Sequence, residues 1–374
     1  MKKIYYPILV VICFLAFAAA FPQKAKWKGS IEEVDGVTVV KNPKKPIYSN
    51  EIVFFNEELS IGKPEGPEDY ILNHILSFAA DDEGNIFILD RKPYRVKVYD
   101  KEGKYIRSIG RMGQGPGEFQ SPDNIQFTDQ NELMVCDSGR GVILFFSVEG
   151  KFLREIKSQM LILAGYTLID SQGNIYLNKS TLREPLYKFH KIFPPYENSE
   201  VVFSFPVSTK RTVPPRRIRF SLLPGDRVVW GIQSEYEFHL CDSKGTTIKR
   251  ILKEHTAVRV SEDYKEKYFE RLPSSFSKKS QNFSQHFPAF DQFFVDDEGR
   301  LFVKTYVKLK GTDKYIIDVF DSEGCYLCQT ALKVGDEISL DQDKFVIKDN
   351  MLYSGETDRE GFPVLKRYRI MWDY

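Results

Sequence analysis

Lys210, Arg211, Arg216, Arg217 and Arg219 crowd around Pro214-Pro215. A guanidinium grips carboxylate or phosphate through two parallel hydrogen bonds, so the cluster is a candidate seat for an acidic ligand. The plainer reading is a solvated loop leading into a strand. A second stretch, G-Q-G-P-G-E-F at 113–119, has the glycine content of a phosphate loop. Such loops join a strand to a helix and carry Lys-Ser/Thr after the last glycine. Here Glu118-Phe119 follows and the next element reads as a strand, so the glycines point to a tight crossover. G-K-P-E-G-P-E-D-Y at 62–70 echoes it. Paired carboxylates, Asp81-Asp82 and Asp296-Asp297, suit acid–base or metal chemistry, but they recur with a repeat, which favours turn building. Cys325-x-x-Cys328 falls in an expected strand, where positions i and i+3 face opposite ways, which disfavours a redox or zinc pair. No G-x-S-x-G nucleophile context occurs.

The elements that must position these residues come from a repeat. Residues 78–90 read F-A-A-D-D-E-G-N-I-F-I-L-D and residues 294–303 read F-V-D-D-E-G-R-L-F-V. Turns of this type centre on Gly84, Asn131, Gly173, Gly225, Gly299 and Asn350. Glycine or asparagine recurs because a tight hairpin needs a residue that tolerates positive φ. A second turn follows at Asp100–Gly103, Ser147–Gly150, Asp242–Gly245 and Asp321–Gly324. The period is roughly 40–50 residues except for one long interval, which is that of a four-stranded propeller blade. Apolar runs between turns, such as Ile86–Leu89 and Val142–Phe146, are rich in β-branched and aromatic types. A β-helix would repeat at about 20–25 residues, and a sandwich rarely needs so long a chain.

The fold expected is therefore all-β: a six-bladed β-propeller of four-stranded antiparallel blades. Its last unit ends at Tyr368–Met371 without an outer strand. The unassigned Gly36–Val40 and Glu51–Ile61 are expected to complete the sixth blade and close the ring. The long interval, about 254–290, reads as a helical and aromatic insert before blade five. Ser261 can cap a helix bearing Glu262 and Asp263 in its first turn. Tyr264, Tyr268 and Leu272 share one face, and Pro273 stops the helix. Phe276, Phe283, Phe287 and Phe290 follow.

Residues 1–20 have the form of a signal peptide: a Met1-Lys2-Lys3 head, an uncharged run from Ile4, and Ala18-x-Ala20. The run sits at the lower limit for a spanning helix, so a membrane link is expected only through an uncleaved segment. Residues 21–374 then form one exported domain, periplasmic, in the cell envelope or secreted. The net charge of +1 supplies no global field for nucleic acid. With 42% hydrophobic and 14% aromatic residues, material for a core is ample. Cys136, Cys241, Cys325 and Cys328 are not spaced as a disulfide framework.

On D-x-x-G-N-I-F-I-L-D (81–90), R-V-K-V-Y-D-K-E-G-K-Y (95–105), G-Q-G-P-G-E-F-x-x-P (113–122) and Asn42-Pro43, the chain resembles the NHL-type six-bladed propellers. It is similar above all to exported bacterial propellers of unassigned activity. The resemblance implies a binding or scaffold fold, with a zinc amidating lyase and calcium lactonases among the wider relatives. Propeller ligands sit where the inner strands begin. That places Asn73, His74, Asp123, Asn124, Tyr166, Arg217, Arg219 and His286 near the channel mouth, with Tyr268 on the insert above. A zinc site would need two or three imidazoles, and of His74, His190, His239, His255 and His286 only two could reach the channel. A calcium site would need oxygens from several blades, and Asp123 and Asn124 find no matching set. The expected function is thus recognition of a protein, peptide or glycan, without a cofactor or metal and without nucleic acid. A metal-dependent lyase or hydrolase is the alternative.

Overall fold

The computed structural model describes residues 26–374, apart from 93, 163, 165, 181–185, 207–211, 216, 273–281 and 334–344. The expected signal segment, Lys210, Arg211, Arg216, Pro273 and Phe276 lie outside the described residues. No helix among the described residues is long and apolar enough to cross a membrane.

Three strands precede the first blade: β1 (Ser30–Val34), β2 (Val37–Asn42) and β3 (Val53–Ile61). Blade one is β4 (Ile75–Ala80), β5 (Ile86–Asp90), β6 (Arg95–Tyr99) and β7 (Tyr105–Ile109). Blade two is β8 (Pro122–Phe127), β9 (Leu133–Asp137), β10 (Val142–Phe146) and β11 (Phe152–Lys157). Blade three is β12 (Thr167–Ile169), β13 (Ile175–Ser180), β14 (Leu186–Ile192) and β15 (Ser199–Pro206). Blade four is β16 (Ile218–Leu223), β17 (Arg227–Ile232), β18 (Glu237–Cys241) and β19 (Thr247–Lys253). After helix α1 (Glu262–Arg271), blade five is β20 (Gln292–Val295), β21 (Leu301–Lys308), β22 (Tyr315–Phe320) and β23 (Tyr326–Leu332). Blade six is β24 (Phe345–Lys348), β25 (Met351–Thr357) and β26 (Pro363–Trp372), completed by β3. Within every blade, successive strands pair antiparallel, and the first strands line up around the axis, β4 touching both β8 and β24.

Local chemistry explains the turns. All six first-turn residues have positive φ, from +56° at Asn131 to +83° at Gly84. In three of the turns an aspartate three residues earlier builds the turn. Asp81 Oδ1 accepts from the Glu83 and Asn85 amides at 3.0 and 2.8 Å, and Asp170 and Asp296 repeat the pattern. One oxygen of each carboxylate is taken by backbone amides and the other by a side chain of the same blade, Asn85, Asn174 or Arg300, so their recurrence reflects architecture. The second members of the acidic pairs instead reach the neighbouring blade: Asp82 pairs with Lys348, and Asp297 accepts from the Asp349 amide.

The core is divided into six wedges, one between each pair of adjacent blades. Ala79, Phe87 and Val98 meet Val135, Leu144 and Phe146 between blades one and two. Ile61, Tyr353 and Leu365 meet Phe78 and Ile88 where blade six closes on blade one. Because both faces of a blade are covered, β5, β9 and β10 are buried at every position. That is why they read as continuous apolar runs rather than alternating ones. The glycine-rich 113–119 loop is a crossover between two strands. Glu118 accepts from the Gly115 amide at 2.8 Å and pairs with Arg111, and Phe119 fills the wedge behind it.

The closing segment runs farther than expected. β3 supplies the outer strand of blade six by antiparallel pairing with β26. Gly36–Val40 does not join it there; β2 adds in parallel to β19, so with β1 it extends blade four to six strands. Between them the chain crosses blade five, where the Ile47 and Tyr48 amides donate to the Tyr326 and Leu327 carbonyls. Asn42, 3% exposed, pins this belt. Its amide donates to the Gly324 and Leu252 carbonyls at 2.8 and 3.2 Å and accepts from the Tyr326 amide at 2.8 Å and Trp27 Nε1 at 3.0 Å.

Candidate functional site

At the mouth formed by the inner-strand starts, several expected ligand residues have structural partners. The amides of Asn73 and His74 donate to the fully buried Asp90 carboxylate at 3.0–3.2 Å. Asp137 does the same for Gln120 and Ser121, and Gln233 for the Arg217 amide at 2.8 Å. An acceptor at the end of the second strand thus fixes the loop that leads into the first. Asn124 ties three blades together: Ser77 Oγ donates to its Oδ1 at 3.1 Å, and its Nδ2 donates to the Thr167 carbonyl at 2.6 Å. Asp123 is half-buried beside it. Burial, helped by the Asp137 charge and opposed by the Ser138 and Cys136 side chains, pushes its carboxyl up to about 6.

The charged corner between blades four and five is different. Arg217 and Arg219 alternate around Ile218 at the start of β16, so both project from one side. Lys304 and Tyr306 alternate in the same way on β21, facing Asp291 just before β20. Lys304 Nζ lies 2.6 Å from Asp291 Oδ2, and the Tyr306 hydroxyl donates to Oδ1 at 3.3 Å. Burial works to raise the Asp291 pKa, but Lys304 and then Arg219 outweigh it and hold the carboxylate below its usual range. Burial, followed by the like charge of Arg219, lowers the Arg217 pKa. Burial and the Asp291 charge hold the Tyr306 phenol well above its ordinary value. Two guanidiniums thus lie near one another in a partly desolvated place, with the Asp291 carboxylate as a nearby counter-charge.

The insert roofs this corner. Ser261 accepts from the Tyr264 amide at 3.1 Å and caps α1, whose first turn carries Glu262 and Asp263. Tyr264, buried at 2% exposure, meets Phe287 edge-on at 4.9 Å. Phe287 in turn stacks on Tyr306 at 4.5 Å with the ring planes 16° apart. Tyr268 lies one turn farther out, against Phe283 at 5.6 Å. The segment after α1 is also bonded into the body: the Val213 amide donates to the Asn282 carbonyl and Ala289 to Gln233. His286 bridges to Arg259 within the insert. The insert is thus docked through Tyr264 and Phe287 directly onto a site residue.

Arg217, Arg219, Tyr268 and His286 consequently gather at the blade-four to blade-five corner, while Asn73, His74, Asp123 and Asn124 belong to blades one and two. Asp291, Lys304 and Tyr306 escaped the sequence reading. The alternation Lys304-x-Tyr306, a charged and a phenolic group continuing an apolar strand, was the available signal. Among the described residues, no three His, Cys, Asp or Glu side chains converge as a metal would require.

Residues 65–190 match the family model DUF5128, described as a 6-bladed beta-propeller. The chain is a six-bladed β-propeller. It is similar to a Bacteroides fragilis protein described as exported, at 14% identity and a TM-score of 0.55, covering 90% of this chain and 100% of that one. It is also similar to a DUF4221 member from Bacteroides vulgatus, at 11% identity and a TM-score of 0.56, covering 86% and 99%. At these identities the likeness is one of fold. Virginiamycin B lyase from Staphylococcus aureus follows at 9% identity, covering 81% and 84%, and its TM-score of 0.43 carries no weight.

Proposed function

We propose that this propeller is exported and binds a carboxylate-bearing peptide or glycan at the corner between blades four and five. The observation that carries the reading is the pair Arg217 and Arg219, whose mutual repulsion in a partly buried place adds to the burial that lowers the Arg217 pKa. A bound carboxylate relieves that repulsion and offers two acceptors to a guanidinium fork. Lys304 and Asp291 fix one edge of the site, and Tyr306 and Phe287, stacked on each other, hold the insert against it. Export is supported by the Met1–Ala20 pattern.

The test uses mature protein titrated with trigalacturonate and with a Glu-rich hexapeptide, each against its neutral counterpart. The acidic members should bind, more weakly as salt rises, and Arg219→Gln should cost about tenfold in affinity, the worth of one charge-assisted bond. Equal binding of the neutral counterparts, or an unchanged affinity in Arg219→Gln, would overturn the assignment. A metal-dependent lyase or hydrolase is the competing reading, and stoichiometric zinc or calcium in the purified protein would put it first.

A further inference from the structure

The opposite face of the ring carries a second site. Where blade six meets blade one, the turns at the far ends of the inner strands enclose an open cleft of about 530 Å³. Its floor is apolar, from Leu59, Ala80, Met351 and Tyr353, and its walls are charged. The blade-one wall presents Glu83 and Glu102, with Lys101 and Asp82 beside them; the blade-six wall presents Arg367 and Arg369 among Glu58, Lys348 and Asp349.

Some of this charge holds the seam. Lys348 pairs with Asp82, and Arg367 Nη1 donates to the Lys101 carbonyl at 2.6 Å. Within blade six, Arg369 gives Nε and Nη2 to Glu58 at 2.6 and 3.3 Å. The rest is uncommitted. Among the described residues, the Lys101 ammonium and the Glu83 and Glu102 carboxylates join no ion pair, and Arg369 Nη1 makes no hydrogen bond. Arg369 is also half-exposed, at 49% of its side chain. One unpaired ammonium, two unpaired carboxylates and a spare guanidinium N–H thus border one concave, apolar-floored space.

We propose that this cleft binds a zwitterion, a short peptide with both termini free. Its ammonium would be matched by Glu83 and Glu102, and its carboxylate by Arg369 and Lys101. A ligand of one sign would satisfy one kind of wall group and leave the other solvated as before. The walls belong to the two blades joined by ring closure, so an occupant also ties them together. Binding to the closed ring alone stabilises it by RT ln(1 + [L]/Kd).

The experiment titrates triglycine into mature protein by calorimetry at low salt, with N-acetyltriglycine and triglycinamide as blocked controls, and follows Tm in parallel. Triglycine should bind and raise Tm, while each blocked form should lose about fivefold in affinity, the worth of one exposed charged contact. Arg369→Gln and Glu102→Gln, both at exposed side chains, should each weaken triglycine by a similar factor. Triglycine also carries a carboxylate that the blade-four to blade-five corner would take, so the titrations are repeated in the Arg219→Gln background, where binding that persists and still depends on Arg369 and Glu102 belongs to this cleft. Absence of heat and of any Tm rise at about 10 mM triglycine, where a millimolar site would be filled, would overturn the proposal. Equal binding of the blocked peptides would do so as well.

Discussion

Asn42→Ala tests the belt that closes the ring. The Asn42 side chain forms four hydrogen bonds at 2.8–3.2 Å, bridging the N-terminal segment, β19 and the turn before β23. Truncation leaves the Tyr326 amide and the Gly324 carbonyl buried without their partner. Each such group costs about 1–3 kcal/mol, and a water entering the vacated space would return part of it. The expected loss is about 3 kcal/mol. With an unfolding entropy of about 2 cal/mol/K per residue, a chain of this length should lose about 4 °C in Tm. Urea unfolding followed by tryptophan fluorescence gives the free energy directly, since Trp27 sits on the Asn42 amide. Asn42→Asp should be no milder, because a carboxylate would face the Gly324 and Leu252 carbonyls, acceptor against acceptor. Limited proteolysis should release the segment before β3 faster in both variants. A loss below about 1 kcal/mol, the net worth of one ordinary hydrogen bond, would refute the claim that this amide pins the belt.

Asp318 accepts from the Tyr236 and Tyr326 hydroxyls, both at 2.6 Å, and lies 3.2 Å from Lys253 Nζ, with both charged side chains at least 94% buried. Asp318→Ala should therefore cost about 3–5 kcal/mol by stranding the lysine, whereas adding Lys253→Met to Asp318→Ala should recover part of that in a double-mutant cycle; a cycle showing simple additivity would contradict the coupling. The Asp123 carboxyl is raised from 3.8 to about 6 in the folded state, so the folded protein holds its proton more tightly. The associated stability is present below about pH 4 and is lost as pH rises through about 6. Asp123→Asn should gain on the parent by up to about 3 kcal/mol across that window, and a pH-independent difference in urea unfolding would count against it.

Much of the architecture was legible because it is local. Asp81, Asp170 and Asp296 close their turns with amides two and four residues away, and the six positive-φ positions are glycine or asparagine. Such signals need no knowledge of the rest of the chain. The Ser261 cap and the first turn of α1 are of the same kind. The candidate site was half legible. Arg217, Arg219 and Tyr268 stood out by type, but Asp291, Lys304 and Tyr306 are meaningful only once blade five is set beside blade four. Asn73 and His74 show the converse. They look like ligand residues until Asp90, seventeen residues downstream of Asn73, is seen accepting their amides.

By itself the sequence determined the blade count, the turn chemistry and the place of the insert, since each is written in contacts a few residues apart. Only the tertiary structure decided where the N-terminal segment goes. Both of its apolar runs suited an outer strand, yet β3 completes blade six while β2 pairs in parallel with β19. Strand propensity is the same for either destination. The choice rests on contacts between residues more than two hundred positions apart, above all those of Asn42 with Leu252, Gly324 and Tyr326, which exist only when the ring is closed.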